Sequence, residues 1–219
     1  MLILAFDTSS KTASVAILRD EIILYETIIN IGLNHSEVLL PAIEQACIQT
    51  RTKIFEFDLF ACTIGPGSFT GLRIGASTLK GFMLATSKPA VGVSSLAAIA
   101  LNVGKTSKTI CSIMDAGRGQ VYSACFKYQE NSLLEQISKE QVVKPSEMEK
   151  HQDAVIVGDG ALKYADIISD KKKNIILSSQ QYCLASSVGL LGKEKFDRNE
   201  LLNAETFTPV YLRSHNASV

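Results

Sequence analysis

The chain has 219 residues, 46% of them hydrophobic and 20% charged, which is enough apolar material for the core of one large domain or two small ones. Lysine plus arginine and aspartate plus glutamate each total 22, so there is no basic excess with which to grip nucleic acid unaided. No apolar run is long enough to cross a membrane, and the apolar N-terminus meets Asp7 at once without a basic flank, which predicts a first strand and not a signal peptide.

Residues 2–6 predict a strand ending at Asp7, followed by a polar turn of Thr8, Ser9, Ser10 and Lys11. Residues 13–18 and 22–29 predict two more strands around a turn at Asp20 and Glu21. Helical spacing starts at Asn34 and runs to about Thr50, with Leu39, Ala42, Ile43, Ala46 and Cys47 as its apolar face and Glu37 at capping-box distance. Pro41 predicts either an effective start near Glu37 or a kink, since a mid-helix proline costs about 3 kcal/mol.

Residues 59–64 are a continuous apolar run, read as a buried strand. Gly65, Pro66 and Gly67 stop it, and helical spacing capped by Ser68 or Thr70 continues to about Ser87. A P-loop requires Gly-Lys-Ser/Thr here, but Gly71 is followed by Leu72 and Arg73. A dinucleotide fingerprint requires a third glycine three residues after the second, and Gly71 stands one residue too far from Gly67. Two readings of the turn remain: amides that hold an anion, or close packing of helix on strand. Leu72, Ala76, Leu79 and Met83 form a core stripe on this helix, and Gly71, Gly75, Thr78, Phe82 and Ala85 a second, mostly small one. Glycine inside a helix costs about 1 kcal/mol relative to alanine. The three at Gly71, Gly75 and Gly81 therefore predict a close neighbour, either another element of this chain or a partner's helix.

Residues 89–93 predict a strand and Ser94 caps a helix to Leu101, after which residues 104–108 are small and polar, the best hinge between halves. The pattern then restarts. Residues 109–114 predict a strand ending at Asp115, residues 116–119 a turn with Arg118 in it, and residues 120–127 and 133–143 two strands. Met148 falls in a short helix after Pro145, residues 154–157 are a strand, and residues 161–168 a helix after Gly158, Asp159 and Gly160. Residues 175–177 are extended, residues 181–196 helical and residues 209–212 a small extended tail. The one basic cluster, Lys171 to Lys173, reads as a solvated loop. Cys47, Cys62, Cys111, Cys125 and Cys183 are odd in number, contain no CxxC, and read as reduced core thiols, neither disulfides nor metal ligands.

Set side by side, LAFDTSSKTASVAIL and CSIMDAGRGQVYSACF share strand, Asp, turn and strand, and DLFACTIGPGSF and DAVIVGDGALKY share Asp, apolar strand, Gly-x-Gly and helix. The expected fold class is α/β, a duplicated βββαβα architecture of the actin-like (ribonuclease H-like) kind, with lobes at residues 1–104 and 105–219.

ILAFDTSS, HSEVLLP, IGPGSFTGLRIG, PAVGVSSL, MDAGRGQVY and TPVYLR occur here in the order found in the bacterial TsaB (YeaZ) family of tRNA threonylcarbamoyladenosine biosynthesis proteins, which the chain resembles over nearly its whole length. That resemblance implies an actin-like fold with a shortened second lobe. It also implies a non-catalytic sister of TsaD, which transfers threonylcarbamoyl from threonylcarbamoyl-AMP to N6 of the adenosine 3′ of the anticodon in tRNAs reading A-starting codons. The implied partners are TsaD, as a heterodimer, and the ATPase TsaE, with tRNA met only through the complex. A homodimer of the isolated chain is also expected, as are a cytoplasmic location and no membrane contact. The pairing helices resemble residues 35–50 and 70–87, which makes His35, Leu39, Gly71, Gly75, Thr78, Phe82 and Ala85 the expected interface.

No cofactor is expected on this chain alone, with ATP or ADP at the complex with TsaD and TsaE. The catalytic sister binds metal through two histidines four apart after the strand matching residues 89–93; the matching positions look like Ser95 and Ile99, and no His-x-x-x-His exists among His35, His151 and His215. A catalytic residue and a metal site are therefore not expected. His35 reads as a backbone hydrogen-bond donor. Asp7, Ser9, Ser10, Asp115 and Arg118 read either as vestigial nucleotide or phosphate turns or as turn caps, with Arg118 placed to neutralise Asp115. The alternative function is an independent ATPase or small-molecule kinase of the same fold; a protease finds no Ser-His-Asp or Cys-His spacing.

Overall fold

A computed structural model describes residues 1–32, 34–130, 133–148, 153–168, 175–177 and 181–213. The chain forms two compact units, Met1–Ala98 with Cys183–Val210, and Ile99–Tyr182 with the chain from Tyr211 onward.

In the first unit β1 (Leu2–Asp7), β2 (Ala13–Arg19) and β3 (Ile22–Ile29) form an antiparallel meander. After α1 (His35–Thr50) comes β4 (Leu59–Gly65), parallel to β1, then α2 (Phe69–Thr86), β5 (Ala90–Ser94) and α3 (Ser95–Leu101), within which the first unit ends. The sheet order is β3-β2-β1-β4-β5. In the second unit β6 (Ile110–Gly117), β7 (Gln120–Tyr128), β8 (Leu134–Gln136), β9 (Gln141–Val143), β10 (Val155–Val157) and β11 (Ile175–Leu177) carry α4 (Asp159–Lys163) and α5 (Ala165–Ile168). Its order, β11-β10-β6-β7-β8, is the first unit's order read from the other end, which is the duplication expected from the sequence. The shortening falls between the third and fourth strands of the repeat. There the first unit has the 16-residue α1, and the described residues of the second have only β9, which pairs with β7, and a 3-10 turn at Pro145–Glu147.

The last helix, α6 (Ala185–Asp197), lies on the first unit's sheet. Leu4, Phe6, Val15, Ile17 and Phe60 pack with α1 and α2 on one face. On the alternate positions, Gly189 faces Ala5 and Leu18, and Gly192 faces Ala61 and Val91. Covering on both faces is why β1, β2 and β4 are apolar almost throughout. The expected boundary at residues 104–108 is thus corrected: the division comes after Ala98, and α6 rejoins the first unit because its small residues fit that sheet.

Other local differences have local causes. Residues 133–143 are two strands, because Ile137 N and Ser138 N both turn to donate to Cys125 O. The helix expected over 161–168 breaks at Tyr164 into α4 and α5. Met148 closes the 3-10 turn at Pro145–Glu147, and α6 begins at Ala185, later than residue 181. The 209–212 tail is not a strand, although Val210 N donates to Ile64 O at 2.7 Å. α1 is continuous from His35 through Pro41; the carbonyl this proline leaves without a helical donor, Glu37 O, lies on an exposed stretch. His151, His215 and Lys171 to Lys173 lie outside the described residues.

Candidate functional site

β1 ends at Asp7, and the register that sets Phe6 opposite Cys62 puts Thr63 of β4 beside it. Thr63 Oγ1 donates to Asp7 Oδ1 at 2.5 Å and Ser9 N donates to the same oxygen at 3.0 Å. Asp7 is 0% exposed, and among the described residues its Oδ2 and the buried Ser9 Oγ accept no hydrogen bond. Burial pushes the Asp7 carboxyl up, against the hydrogen bonds from Ser9 and Thr63.

The turn after Asp7 is sewn to the glycine turn and to α2. Ser68 N donates to Ser9 O at 2.7 Å, Thr8 Oγ1 donates to Gly71 O at 2.8 Å, and Ser68 Oγ caps α2 by accepting from Gly71 N. A Cβ on Gly67 would collide with Ser9 O, and one on Gly71 with Thr8 O. Of the two readings left open for the glycine turn, close packing is the one observed, and the Ser68 amide is already used inside the chain. His35 Nε2 donates to Ser10 O at 2.7 Å, the backbone contact expected of it, while Ser10 Oγ pairs with Thr12 Oγ1 at 2.9 Å.

The interface expected on α1 and α2 needs correction. Leu39 is core, and Gly71 and Gly75 are buried against Thr8 and, for Gly75, Cys62, so their close neighbour is this chain. Phe82 stacks on Phe60 at 5.2 Å between ring centroids and meets Phe6 edge-on. His35 and Thr78 are half-buried, and Ala85 is the one of the seven that is exposed. The outward faces carry other residues: Leu40 (55% exposed) and Ile48 (61%) on α1, and Gly81 and Leu84 (73%) on α2.

In the second unit Lys163 is a cation on Asp115 that the sequence did not single out. Lys163 Nζ lies 2.6 Å from Oδ2, Tyr164 OH donates to Oδ1 at 3.1 Å, and Gly117 N donates to Oδ1 at 3.1 Å. Asp159 Oδ1 accepts from Asp115 N at 3.0 Å, which ties α4 to the turn. Arg118 stands at φ 54° in the hairpin turn. Partial burial works to raise the Asp115 carboxyl, but the Lys163 ammonium with Gly117 and Tyr164 holds it below the usual range. Thr63 and Lys163 are the site residues that sequence missed. Their signals were a hydroxyl at the end of an apolar strand and a lysine one turn past Asp159, each meaningful only once register is known.

A fold of this kind raises the question of a metal-held phosphate. These residues do not fit one: Asp7 is closed off, and both Asp115 oxygens already have donors. Among the described residues no group of three or more His, Cys, Asp and Glu side chains is placed to hold a metal, and no helix is long and apolar enough to cross a membrane. Ser95 and Ile99, the positions that the resemblance sets against a catalytic sister's histidines, are buried in α3.

The chain is 32% identical to the tRNA threonylcarbamoyladenosine biosynthesis protein TsaB of Bacillus subtilis (strain 168), over 97% of this chain and 94% of that protein. It belongs to the TsaB family. A family model described as TsaD, tRNA N6-adenosine threonylcarbamoyltransferase, matches residues 30–218. YeaZ from Pseudomonas aeruginosa superposes with a TM-score of 0.84 at 26% identity, covering 96% of this chain and 99% of that one. Component A of (R)-2-hydroxyglutaryl-CoA dehydratase from Acidaminococcus fermentans, at 12% identity and a TM-score of 0.55 over 89% of this chain and 98% of that one, shares the fold alone. TsaB membership and this likeness agree with the actin-like α/β class.

Lys163→Met tests the second turn. Because the folded Asp115 carboxyl lies below its unfolded value, the pair stabilises above about pH 4 and its contribution is lost as pH falls through the folded value. The variant is expected to melt a few degrees lower than the parent at pH 7, with the gap closing in acid; equal gaps at pH 7 and pH 3 would contradict this assignment.

Proposed function

We propose that this chain serves tRNA threonylcarbamoyladenosine formation as a non-catalytic partner of TsaD, which supplies the transfer chemistry. Full-length similarity to TsaB carries the reading. It is supported by Ser95 and Ile99 standing where the resemblance places the sister protein's histidines, and by an Asp115 whose two oxygens both have donors within its own unit.

The partner surface in this proposal is the outward side of α1 and α2. Leu40, Glu44 and Ile48 follow at i, i+4 and i+8, and Ser77, Gly81 and Leu84 at i, i+4 and i+7. Gly81 has nothing within 4 Å of where its Cβ would be, so its cost to the helix, about 1 kcal/mol, has no return inside the chain. TsaE joins through the complex, tRNA is met only there, and any ATP or ADP is bound in the assembled complex.

Leu84→Glu is expected to fold normally and to weaken TsaD binding about tenfold or more, measured by calorimetry, because it puts an unpaired charge into the contact. tRNA modification in a reconstituted mixture should fall at limiting concentration and recover with excess variant. Unchanged affinity for both Leu84→Glu and Leu40→Glu would place the partner elsewhere. Transferase or ATPase turnover by the purified chain alone would overturn the non-catalytic assignment.

A further inference from the structure

The cysteines do not all behave as the reduced core thiols expected from their scatter. Cys111 on β6 and Cys125 on β7 are register partners in an antiparallel pair, with Cα atoms 4.2 Å apart, and the structure joins their sulfurs. The backbone of Cys125 is turned the other way. Its N–H donates to Ser138 Oγ at 2.7 Å and its carbonyl accepts from Ile137 N at 2.8 Å. The N–H and C=O of a strand residue point to the same edge, so Cys111 and Cys125 face each other as a non-hydrogen-bonded pair, the arrangement that brings opposed side chains closest. Both are buried, clustered with Ala154. Cys47, Cys62 and Cys183 are free thiols, and burial pushes the Cys62 and Cys183 thiols well up, which suppresses their thiolates.

We propose that Cys111 and Cys125 are a reversible dithiol–disulfide pair that takes a small-molecule disulfide of the glutathione class as oxidant. One cysteine thiolate attacks a sulfur of the disulfide, forming a mixed disulfide and releasing one small thiolate. The opposed cysteine then loses its proton and attacks the protein sulfur of the mixed disulfide, and the second small thiolate leaves. The chain gives up two electrons and two protons; the oxidant becomes two thiols. Because the second cysteine is already the cross-strand partner, this step is intramolecular and the mixed disulfide does not accumulate. The bond fastens the hairpin whose turn carries Asp115 and holds Arg213, which donates to Ala116 O at 3.0 Å. Burial of both sulfurs makes exchange slow in the folded chain, so equilibration takes hours.

The test equilibrates the full chain overnight in mixtures of reduced and oxidised glutathione, quenches with acid, unfolds, alkylates and maps by mass spectrometry. Five alkylated cysteines are expected at the reducing end, and three at the oxidising end, with the Cys111 and Cys125 peptides linked. The oxidised form should melt about 5 °C higher. Cys111→Ser and Cys125→Ser should each abolish the transition, and Cys47→Ala should leave it. Five alkylated thiols at every ratio, a link that includes Cys47, Cys62 or Cys183, or a persistent glutathione adduct would overturn the proposal; mapping of the parent chain decides even where a serine variant does not fold.

Discussion

Gly71→Ala is expected to destabilise the chain by about 3 kcal/mol or more, while Gly81→Ala, on the same helix, stabilises it by up to about 1 kcal/mol. Helix propensity alone gives both changes the same favourable sign. The structure separates them. A Cβ on Gly71 falls onto the carbonyl oxygen of Thr8 and within 3.2 Å of the His35 ring, and the Thr8 hydroxyl is already bonded to Gly71 O. Backbone cannot move aside there without breaking the Thr8 and Ser9 contacts that hold the Asp7 turn. At Gly81 the added methyl group meets open space. Urea unfolding of the two variants gives the comparison. A Gly71→Ala protein as stable as the parent would mean that the turn and α2 do not dock as closely as described, and that the small stripe is available to a partner after all.

The glycines show where the sequence was legible and where it stopped. Three glycines in one helix announce a close neighbour, because the cost has to be offset somewhere. They do not say whose backbone approaches, since that depends on where β1 ends relative to α2. Gly71 and Gly75 turned out to face Thr8, and Gly81 faces away from the chain. Strands that end in Asp, apolar runs, and the repeated strand–turn–strand pattern act at short range, so the order of elements in both units could be read directly. α6 could not be placed, because which sheet it covers is decided by Gly189 fitting Leu18 and Gly192 fitting Val91, pairs far apart in the chain. The same limit hid the Cys111–Cys125 pair and the Lys163–Asp115 ion pair: both require strand register or a crossover to bring distant residues together. Asp7 and Asp115 were picked out by position. What sequence left open was whether they face a ligand or their own chain; both oxygens of Asp115 and Oδ1 of Asp7 have partners in the chain, and Oδ2 of Asp7 has none among the described residues.

Asp7→Asn is expected to raise stability by about 2 kcal/mol at pH 8, the scale on which an unsatisfied buried polar group costs folding. Burial lifts the folded Asp7 carboxyl above its unfolded value of about 3.9. Its contribution to stability is therefore fully present below that value and is lost as pH rises through the folded value, above which the chain carries a buried charge. Asparagine keeps an oxygen for Thr63 Oγ1 and Ser9 N and replaces the buried, unpartnered Oδ2 by an uncharged NH2. The gain should shrink as pH falls and vanish near pH 4, where the parent's carboxyl is itself protonated. Denaturant titrations of parent and variant at pH 8, 6 and 4 measure it. If Asp7 instead served a metal-held phosphate, the parent would gain stability from magnesium and ATP, and Asp7→Asn would lose that gain. A variant less stable than the parent at pH 8, or a parent stabilised by magnesium–ATP in this Asp7-dependent way, would return the turn to ligand binding.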